Sequence, residues 1–252
     1  MSSPLLYSQQ GAVVTITLNR PEKLNALSRA TVEALFDAWK RFEGDPAAQV
    51  AILTGAGNKS FCVGRDLNEP AEGPFTLESL PILDVSVTVT KPVIAAVNGL
   101  ALGGGFLLAQ MCDLIVAAEH AIFSIPEARL GRGAAWAAPL LKMLPPRAVT
   151  ELLLTGRPMS SSRLRELGFV NAVTNGSDLM DAATSMALAI AANAPLSVRA
   201  CRKMVRMAGD PDNEPQSRSA VETMFEHVYL SEDAEEGVRA FREKRAPSWN
   251  GR

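Results

Sequence analysis

The sequence is poor in the residues that build metal sites and histidine-dependent nucleophiles. Its 252 residues include only three cysteines and two histidines. The cysteines are odd in number, far apart and outside any C-x-x-C pattern, which argues against a disulfide framework or a zinc site and favours a reducing compartment. Because no G-x-S-x-G segment occurs, the histidines do not indicate a Ser-His-Asp triad, and we expect both at the surface. The residues concerned are Cys62, Cys112, Cys201, His120 and His227.

An excess of one charge and long apolar runs are also missing. The chain carries 25 Lys and Arg against 27 Asp and Glu, a formal net charge of −2, which disfavours a polyanionic partner such as nucleic acid. No apolar run approaches the roughly eighteen residues of a membrane-spanning helix, and the N-terminal residues lack the basic and apolar parts of a signal peptide. We therefore expect a soluble, cytoplasmic protein with no membrane or nucleic-acid partner.

What the sequence does contain is an alternation of strand and helix patterns. Short β-branched runs bounded by glycine, asparagine or proline predict strands over residues 12–18, 50–53, 93–97, 114–118, 121–123 and 169–173. Apolar residues at helical spacing predict a helix between Ser28 and Gly44, and further helices over 77–89, 140–144, 148–154, 160–167, 178–192, 195–207, 217–229 and 232–243. This order indicates the α/β class with a helical C-terminal region.

Two glycine-containing turns are the first candidates for chemistry. Residues 54–60, TGAGNKS, lack the spacing of a phosphate-binding P-loop, and Gly103-Gly104-Gly105 lacks that of a dinucleotide fingerprint. A glycine run between a strand and a helix still leaves backbone N–H groups bare, where an oxyanion can bind. The turn at residues 61–67, FCVGRDL, is a second such position, so the two turns together supply the two donors of an oxyanion hole. Close packing of a helix on a sheet explains the triple glycine equally well.

Five segments, in this order along the chain, resemble the enoyl-CoA hydratase/isomerase (crotonase) superfamily. They are NRPEKLNAL at 19–27, ILTGAGNKSFCVGRDL at 52–67, KPVIAAVNGLALGGGFLLAQMCDLIVAAEHAIFSIPEARLG at 91–131, LLLTGRPMSSSRLRELGFVNAV at 152–173 and EEGVRAFREKRAPSW at 235–249. The resemblance implies a crotonase-like α/β fold, a spiral of ββα units followed by helices that trimerise. The core with the CoA and oxyanion site would occupy residues 1–195 and the helical oligomerisation region residues 196–252, in a homotrimer or a dimer of trimers.

The same resemblance implies an acyl-CoA thioester as the substrate. Coenzyme A would enter as part of that thioester, so neither a separate cofactor nor a metal is expected. The thioester carbonyl would accept hydrogen bonds from the backbone N–H groups of Arg65 and Gly104, while the Arg65 side chain faces solvent or the CoA phosphates. The coenzyme would lie along Lys23, Ala26, Leu27, Gly64, Asp66 and Leu67, with Phe241 and Lys244 near its nucleotide end.

The chain departs from the family's hydratases at positions that matter for acid–base chemistry and for the pocket. Those hydratases carry two glutamates, whereas here Leu107 stands at the first position and Glu127, in Ser-Ile-Pro-Glu, at the second. Glu127 would face an apolar acyl tunnel, where desolvation raises the pKa of a carboxyl and suits a base that returns its proton. Trp136 stands in place of a glycine-rich helix start and either forms part of the pocket wall or fills the core.

The leading hypothesis is an enzyme of the enoyl-CoA hydratase/isomerase type, active in fatty acyl-CoA metabolism. Its oxyanion hole would stabilise a thioester enolate while Glu127 moves a proton. The missing second glutamate favours isomerisation of a 3-enoyl to a 2-enoyl thioester, or lyase chemistry on a polar acyl group. A CoA-thioester binding protein without turnover is the alternative from a different class. Peptide hydrolysis is disfavoured because no Ser/His pair falls at the matched positions.

Overall fold

The structure, a computed structural model, describes residues 3–69, 79–208 and 218–252. Its strands are β1 (Leu5–Gln10), β2 (Val13–Leu18), β3 (Val50–Gly55), β4 (Ser60–Cys62), β5 (Val93–Val97), β6 (Leu100–Leu102), β7 (Leu114–Ala118), β8 (Ile122–Ser124), β9 (Met159–Ser160) and β10 (Ala172–Thr174). Its α-helices are α1 (Arg29–Gly44), α2 (Gly104–Gln110), α3 (Leu140–Met143), α4 (Pro146–Thr155), α5 (Ser161–Glu166), α6 (Leu179–Ala191), α7 (Pro195–Ala208), α8 (Arg218–Tyr229) and α9 (Glu232–Glu243).

The strands form two sheets. The larger has the order β1-β2-β3-β5-β7-β10 and is parallel except for the β1–β2 hairpin. The smaller has the order β4-β6-β8-β9, in which the first three strands are parallel. Every residue of β3 and β5 is buried, as expected for parallel strands covered on both faces. The predicted α/β class is confirmed.

Consecutive strands alternate between the two sheets, and this alternation positions the site. From β3 to β8 the odd-numbered strands enter the larger sheet and the even-numbered strands enter the smaller one. The parallel strands β4, β6 and β8 therefore end at one edge of the smaller sheet, in the registers Cys62↔Ala101 and Leu102↔Ser124. The turn at Gly64, the triple glycine and Glu127 each follow one of these strand ends.

The first helix is fixed at both ends by side chains. The Ser28 hydroxyl accepts a hydrogen bond from the backbone N–H of Thr31 at 3.2 Å, as the predicted N-cap. At the other end the buried Lys91 ammonium donates to the carbonyl oxygens of Phe42 and Asp45 at 2.7 and 2.6 Å. A cation at the C-terminal carbonyls also interacts favourably with the helix dipole.

The helix predicted over residues 77–89 is wrong where the structure describes it. Residues 79–89 contain turns and an isolated bridge between Leu83 and Val87. Pro81 lacks a backbone donor, and the Ser86 hydroxyl accepts a hydrogen bond from the Ile82 backbone at 2.8 Å, in competition with helical bonding. Residues 77 and 78 lie outside the described part of the chain.

Four strands, β1, β4, β6 and β9, were not predicted. β4 and β6 are three residues long, too short to show the alternation of apolar and polar residues that predicts a strand. β1 is an edge strand with mostly polar outer residues, so it lacks the apolar density of β2. The later helices agree closely with the prediction, and α9 has the predicted limits.

The predicted division at residue 195 coincides with the first residue of α7. That helix is tied to the preceding chain by ion pairs from Arg202 and Arg206 to Asp113, at 2.8 and 2.9 Å. Arg202 also pairs with Asp84 at 3.0 Å. The division into core and oligomerisation region, and trimerisation itself, stay predictions.

The expectations for cysteine and histidine can be compared directly with the structure. All three cysteines are free, with Cys62 and Cys112 buried, and both histidines are exposed as predicted. In the described part of the chain, no group of three or more His, Cys, Asp or Glu side chains is arranged to hold a metal ion.

The length and apolar character of the helices bear on whether one of them could cross a membrane. Among the residues described, no single helix is both long and apolar enough to cross one. The segments Gly176–Ala191 and Pro195–Met207 meet that condition only as a pair, and the pair is bent by 109°.

Candidate active site

A cavity of about 980 Å³ opens where β4, β6 and β8 end. Of the predicted site residues, eight line it: Leu27, Gly64, Arg65, Leu67, Gly104, Leu107, Glu127 and Trp136. Because residues from three successive strand ends meet here, the separate sequence motifs become one site. Its volume is in the usual range for a pocket that binds a small molecule.

The two glycine turns lie against each other in this cavity. A Cβ atom placed on Gly64 would lie 3.0 Å from the backbone nitrogen of Gly104, and one placed on Gly104 would lie 3.9 Å from the backbone nitrogen of Arg65. Gly64 has φ +85°, a left-handed conformation that other residues rarely adopt. The predicted pair of backbone donors is therefore brought together, and a side chain at position 64 would crowd one of them.

A short bridge to Leu27 holds the first of these turns. The backbone N–H of Leu27 donates to the Gly64 carbonyl oxygen at 2.8 Å, and the Asp66 N–H donates to the Leu27 carbonyl oxygen at 3.0 Å. These bonds flank Arg65 and pair it with Leu27 as an isolated parallel bridge. The backbone around the proposed donor is thus fixed by hydrogen bonding to another segment.

The triple glycine places the second proposed donor at the start of a helix. Gly103 precedes α2, and its N–H donates to the Ser124 carbonyl oxygen at 3.0 Å, which joins the ends of β6 and β8. Gly104 is the first residue of α2, where backbone N–H groups have no partner within the helix. The close-packing interpretation is supported, because a Cβ atom placed on Gly105 would lie 1.9 Å from the Cys62 carbonyl oxygen. Gly103 and Gly104 also line the cavity, and their role at an oxyanion stays a prediction.

Glu127 is half-buried at the start of a short 3-10 helix, Glu127–Leu130, directly after Pro126. Its Oε1 atom accepts a hydrogen bond from the Trp136 indole Nε1 at 3.0 Å, and its Oε2 atom is buried with no hydrogen-bond partner among the described residues. Burial raises the pKa of Glu127, against the opposing effects of hydrogen bonds from its own backbone and from Trp136. The direction agrees with the sequence prediction.

Leu107 and Trp136 form apolar parts of the cavity wall. Leu107 is 3% exposed and lies on α2, so the position of the family's first glutamate is a buried hydrocarbon here. Trp136 is 6% exposed, with its ring centroid 6.1 Å from that of Phe106. Both interpretations of Trp136 are therefore correct, because the side chain lines the cavity and also packs into the core.

Three of the predicted coenzyme contacts lie outside the cavity lining. Lys23 is exposed on the 3-10 helix Pro21–Lys23, and Ala26 is buried, with its carbonyl oxygen accepting from Arg20 at 2.8 Å. The Asp66 carboxylate is buried and pairs with Arg20 at 2.9 Å. Burial opposes ionisation of Asp66, but hydrogen bonds from Arg20 and Asn68 hold its pKa below the usual value. The Asp66 side chain is thus occupied within the chain.

The two predicted contacts from the C-terminal helix are also absent from the cavity lining. Phe241 lies on α9 and is 86% exposed, and Lys244 is the exposed left-handed residue that ends this helix. Their role at the nucleotide end of the coenzyme stays a prediction.

The sequence analysis missed several lining residues. The start of α1 contributes Ser28, Arg29, Ala30, Val32 and Glu33, and other segments add Val63, Glu69, Ser79, Leu80, Gly103, Pro126, Leu130, Arg132 and Gly133. The residues at the start of α1 could have been found from the sequence, because they directly follow Leu27, which was predicted to contact the coenzyme. The contact between Trp136 and Glu127 had no sequence signal, because it joins two irregular segments.

The cavity lining contains charges of both signs. Arg29 pairs with Glu33 at 3.0 Å, and its backbone N–H donates to the Glu69 carboxylate at 2.9 Å. Arg65 and Arg132 complete the cationic side chains of the lining. The site therefore combines an apolar wall with a charged part.

Relatives of known name match the whole chain. The Enoyl-CoA hydratase/isomerase family model matches residues 8–252. The chain is 40% identical over 262 aligned positions to a carnitinyl-CoA dehydratase of Proteus mirabilis and 42% identical to one of Salmonella typhi, and both matches cover 100% of each chain.

Solved structures agree with these matches. An enoyl-CoA hydratase of Mycobacterium tuberculosis superposes with a TM-score of 0.89 at 36% identity, covering 100% of both chains. An enoyl-CoA hydratase of Bacillus anthracis superposes with a TM-score of 0.87 at 31% identity, covering 99% of this chain and 100% of the other. The predicted crotonase-like fold is confirmed. The family model, the relatives and the superposed structures agree, and the chain belongs to the enoyl-CoA hydratase/isomerase family.

Proposed function

We propose that this family member converts acyl-CoA thioesters by way of an enolate, with Glu127 as the single acid–base residue. The observation that carries the proposal is the meeting of the Glu127 carboxyl with the glycine turns at Arg65 and Gly104 in one cavity. The two backbone N–H groups would bind the thioester oxygen as negative charge develops on it. Glu127 would remove a proton from carbon and return it.

The environment of Glu127 supports this role. Its half-buried carboxyl has a raised pKa, which moves it toward the range where a group both accepts and donates protons near neutral pH. The buried Oε2 atom has no hydrogen-bond partner among the described residues, so it has capacity for a proton. Leu107 offers no second carboxyl to hold a water molecule.

Two reaction types fit one carboxyl. In isomerisation of a 3-enoyl to a 2-enoyl thioester, Glu127 would move a proton between the α and γ carbons. In dehydration of a 3-hydroxyacyl thioester, Glu127 would remove the α proton and return it to the hydroxyl group on the β carbon, which leaves as water when the C–O bond breaks. The carnitinyl-CoA dehydratases at 40% and 42% identity favour dehydration of a polar acyl group as a specific candidate.

The reaction type is tested by mass spectrometry in deuterated water. A panel of 2-enoyl-, 3-enoyl- and 3-hydroxyacyl-CoA thioesters is incubated with the protein. Isomerisation gives deuterium at the α or γ carbon without a change in the mass of the skeleton, whereas dehydration removes the mass of water. Rapid hydration of simple 2-enoyl thioesters as the main activity would contradict the proposal.

A CoA-thioester binding protein without turnover is the second candidate. The substitution of the family's first glutamate by Leu107 is the observation that favours it. Such a protein would show binding of members of the panel in isothermal titration calorimetry but would exchange deuterium into none of them. Exchange into any member at a rate that depends on the enzyme concentration excludes this candidate.

The coenzyme contacts and the assembly belong to the same proposal. We propose that CoA lies along the turn at Gly64 and Leu67 and that its nucleotide end reaches Phe241 and Lys244. The exposed apolar side chains of α9, Val238 at 53% and Phe241 at 86%, support burial of this helix against another chain. A homotrimer or a dimer of trimers in the cytoplasm is therefore the proposed form.

A further inference from the structure

The indole of Trp136 makes a hydrogen bond that neither the sequence motifs nor the proposed reaction requires. Its Nε1 atom donates to Glu127 Oε1 at 3.0 Å. The second carboxyl oxygen, Oε2, is buried and has no hydrogen-bond partner among the residues the structure describes. The two oxygens of one carboxyl are therefore chemically different in this cavity.

An indole N–H group is only a donor, so the oxygen it binds must remain an acceptor. In the neutral form a carbonyl oxygen accepts such a bond better than a hydroxyl oxygen does, so the indole bond to Oε1 favours the form that carries its proton on Oε2. We propose that Trp136 is a positioning residue that holds Glu127 by Oε1 and directs its exchangeable proton to Oε2. This inference rests on the proposed function, in which Glu127 transfers that proton.

The surroundings of Trp136 make it a rigid support. Its ring packs against Phe106 at 6.1 Å between centroids, and its carbonyl oxygen accepts a hydrogen bond from Gln110 Nε2 at 3.1 Å. Phe106 and Gln110 both lie on α2, the helix that begins at Gly104. One helix therefore supplies a proposed oxyanion donor and also locks the residue that holds the acid–base group.

The backbone restricts the carboxyl from another direction. Gly103 has φ +52°, and a Cβ atom placed on it would lie 3.1 Å from Glu127 Oε1. The absence of a side chain at position 103 leaves room for the carboxyl in the orientation that Trp136 imposes. The triple glycine thus serves Glu127 as well as the proposed donors.

Other charges near the cavity could also influence Glu127. The titratable or charged residues that line the cavity with it are Arg29, Glu33, Arg65, Glu69 and Arg132, and Arg129 lies on its own 3-10 helix. Among the described residues, no charged side chain is a cause of the raised pKa of Glu127, which comes from burial and is opposed by its own backbone N–H and by Trp136. Loss of the indole bond is therefore expected to raise that pKa further.

The test is an infrared titration of Glu127 in the full chain. The carboxyl band is identified by its loss in Glu127→Gln, and its titration is compared between the wild type and Trp136→Phe. A hydrogen bond to a charged group changes an equilibrium constant by about ten- to hundredfold. We therefore expect the pKa of Glu127 to be about one unit higher in Trp136→Phe than in the wild type. The acid limb of the deuterium-exchange rate should move the same way, with kcat reduced about tenfold or more.

An isosteric replacement of Trp136 separates the effect of its ring shape on Glu127 from the effect of its hydrogen bond. Benzothienylalanine at position 136 keeps the bicyclic ring but has sulfur in place of N–H, so it should reproduce the upward shift without a loss of packing. Trp39→Phe is the matched control, because Trp39 is fully buried on α1, lies outside the cavity lining, and has an indole N–H without a partner among the described residues. It should leave the Glu127 titration unchanged.

The outcomes distinguish this inference from the proposed function. An unchanged Glu127 titration with benzothienylalanine overturns the inference, even if the ring affects activity through packing. If Glu127→Gln keeps full exchange activity, the proposed function fails, while the infrared titration still decides whether Trp136 controls the carboxyl.

Discussion

At the scale of single residues, the proposed chemistry depends on what position 107 lacks. Leu107 is buried in the cavity wall, where the family's hydratases place a glutamate. The contribution of one acid–base group is about 10²–10⁴-fold in rate. We therefore expect this chain to hydrate a simple 2-enoyl thioester slowly.

The first prediction concerns crotonyl-CoA, measured by the loss of its enoyl absorbance. We expect the wild type to hydrate it at least about a hundredfold more slowly than good enzymes, which turn over about 10²–10³ times per second. Leu107→Glu should increase the rate, whereas Leu107→Gln, with similar size and no acid, should not. A wild-type rate of several hundred per second would contradict the assignment of one acid–base group.

The second prediction concerns stability and pH at Glu127. The raised pKa, caused by burial, means that the folded chain holds this proton more tightly than the unfolded chain, so ionisation of Glu127 weakens folding as the pH rises through its folded pKa. Glu127→Gln should therefore gain thermal stability relative to the wild type at pH 8, and the gain should shrink toward pH 4. Differential scanning calorimetry at several pH values measures it, and a difference that is constant with pH would contradict the shift.

At the scale of elements, the site was partly predictable. The glycine turns, Glu127, Leu107 and Trp136 were found from sequence because motif spacing is local. The strands β4 and β6 were missed since three residues carry almost no periodicity, yet their register brings those motifs together. The helix predicted over 77–89, which is wrong over the described residues 79–89, shows the opposite failure, because Pro81 and the hydrogen bond accepted by the Ser86 hydroxyl override the apolar pattern.

The ion pairs and hydrogen bonds of Arg202 attach the element α7 to the preceding chain. Arg202 is 8% exposed and pairs with Asp113 and Asp84, and it also donates to the Val89 carbonyl oxygen at 2.7 Å. Asp84 and Val89 lie within the segment that was wrongly predicted as a helix, and Asp113 directly precedes β7. The network had no sequence signal, because Arg202 is separated by more than 80 residues from each of its partners.

The third prediction tests that attachment by substitution. Arg202→Met removes charge-assisted hydrogen bonds to two partly exposed carboxylates, which keep Arg206 as a partner, and should lower the free energy of unfolding by about 1.5–3 kcal/mol. Arg163→Met is the matched control, because the Arg163–Glu166 pair is 56% and 65% exposed and such pairs contribute about 1 kcal/mol or less. Urea unfolding followed by circular dichroism measures both variants. Equal effects of the two substitutions would show that the ion pairs of Arg202 do not anchor α7.

At the scale of the whole molecule, the fold was predicted more securely than the reaction. The order of five motifs over nearly the entire chain identified the architecture, and the superposed structures confirm it. The reaction depends on a few side chains whose mutual geometry no single segment encodes. The helix α9 was predicted from its pattern, whereas the roles of this region in oligomerisation and of Phe241 at the coenzyme came from the family resemblance and stay predictions.

The fourth prediction concerns assembly. If the apolar face of α9 is covered by another chain, the protein in solution should have three or six times the 26.9 kDa mass of one chain. Light scattering coupled to gel filtration, at micromolar concentration, measures this mass. A stable monomer would contradict the proposed oligomerisation region.

The central claim is that Glu127 transfers the proton, and one comparison tests it most directly. The rate of deuterium incorporation into the best thioester of the panel is measured for the wild type, Glu127→Gln and Glu151→Gln, the last being a control on the exposed surface of α4. We predict that Glu127→Gln loses about 10²–10⁴-fold in rate with little change in thioester affinity, while Glu151→Gln keeps the wild-type rate. A Glu127→Gln variant that exchanges as fast as the wild type would contradict the account.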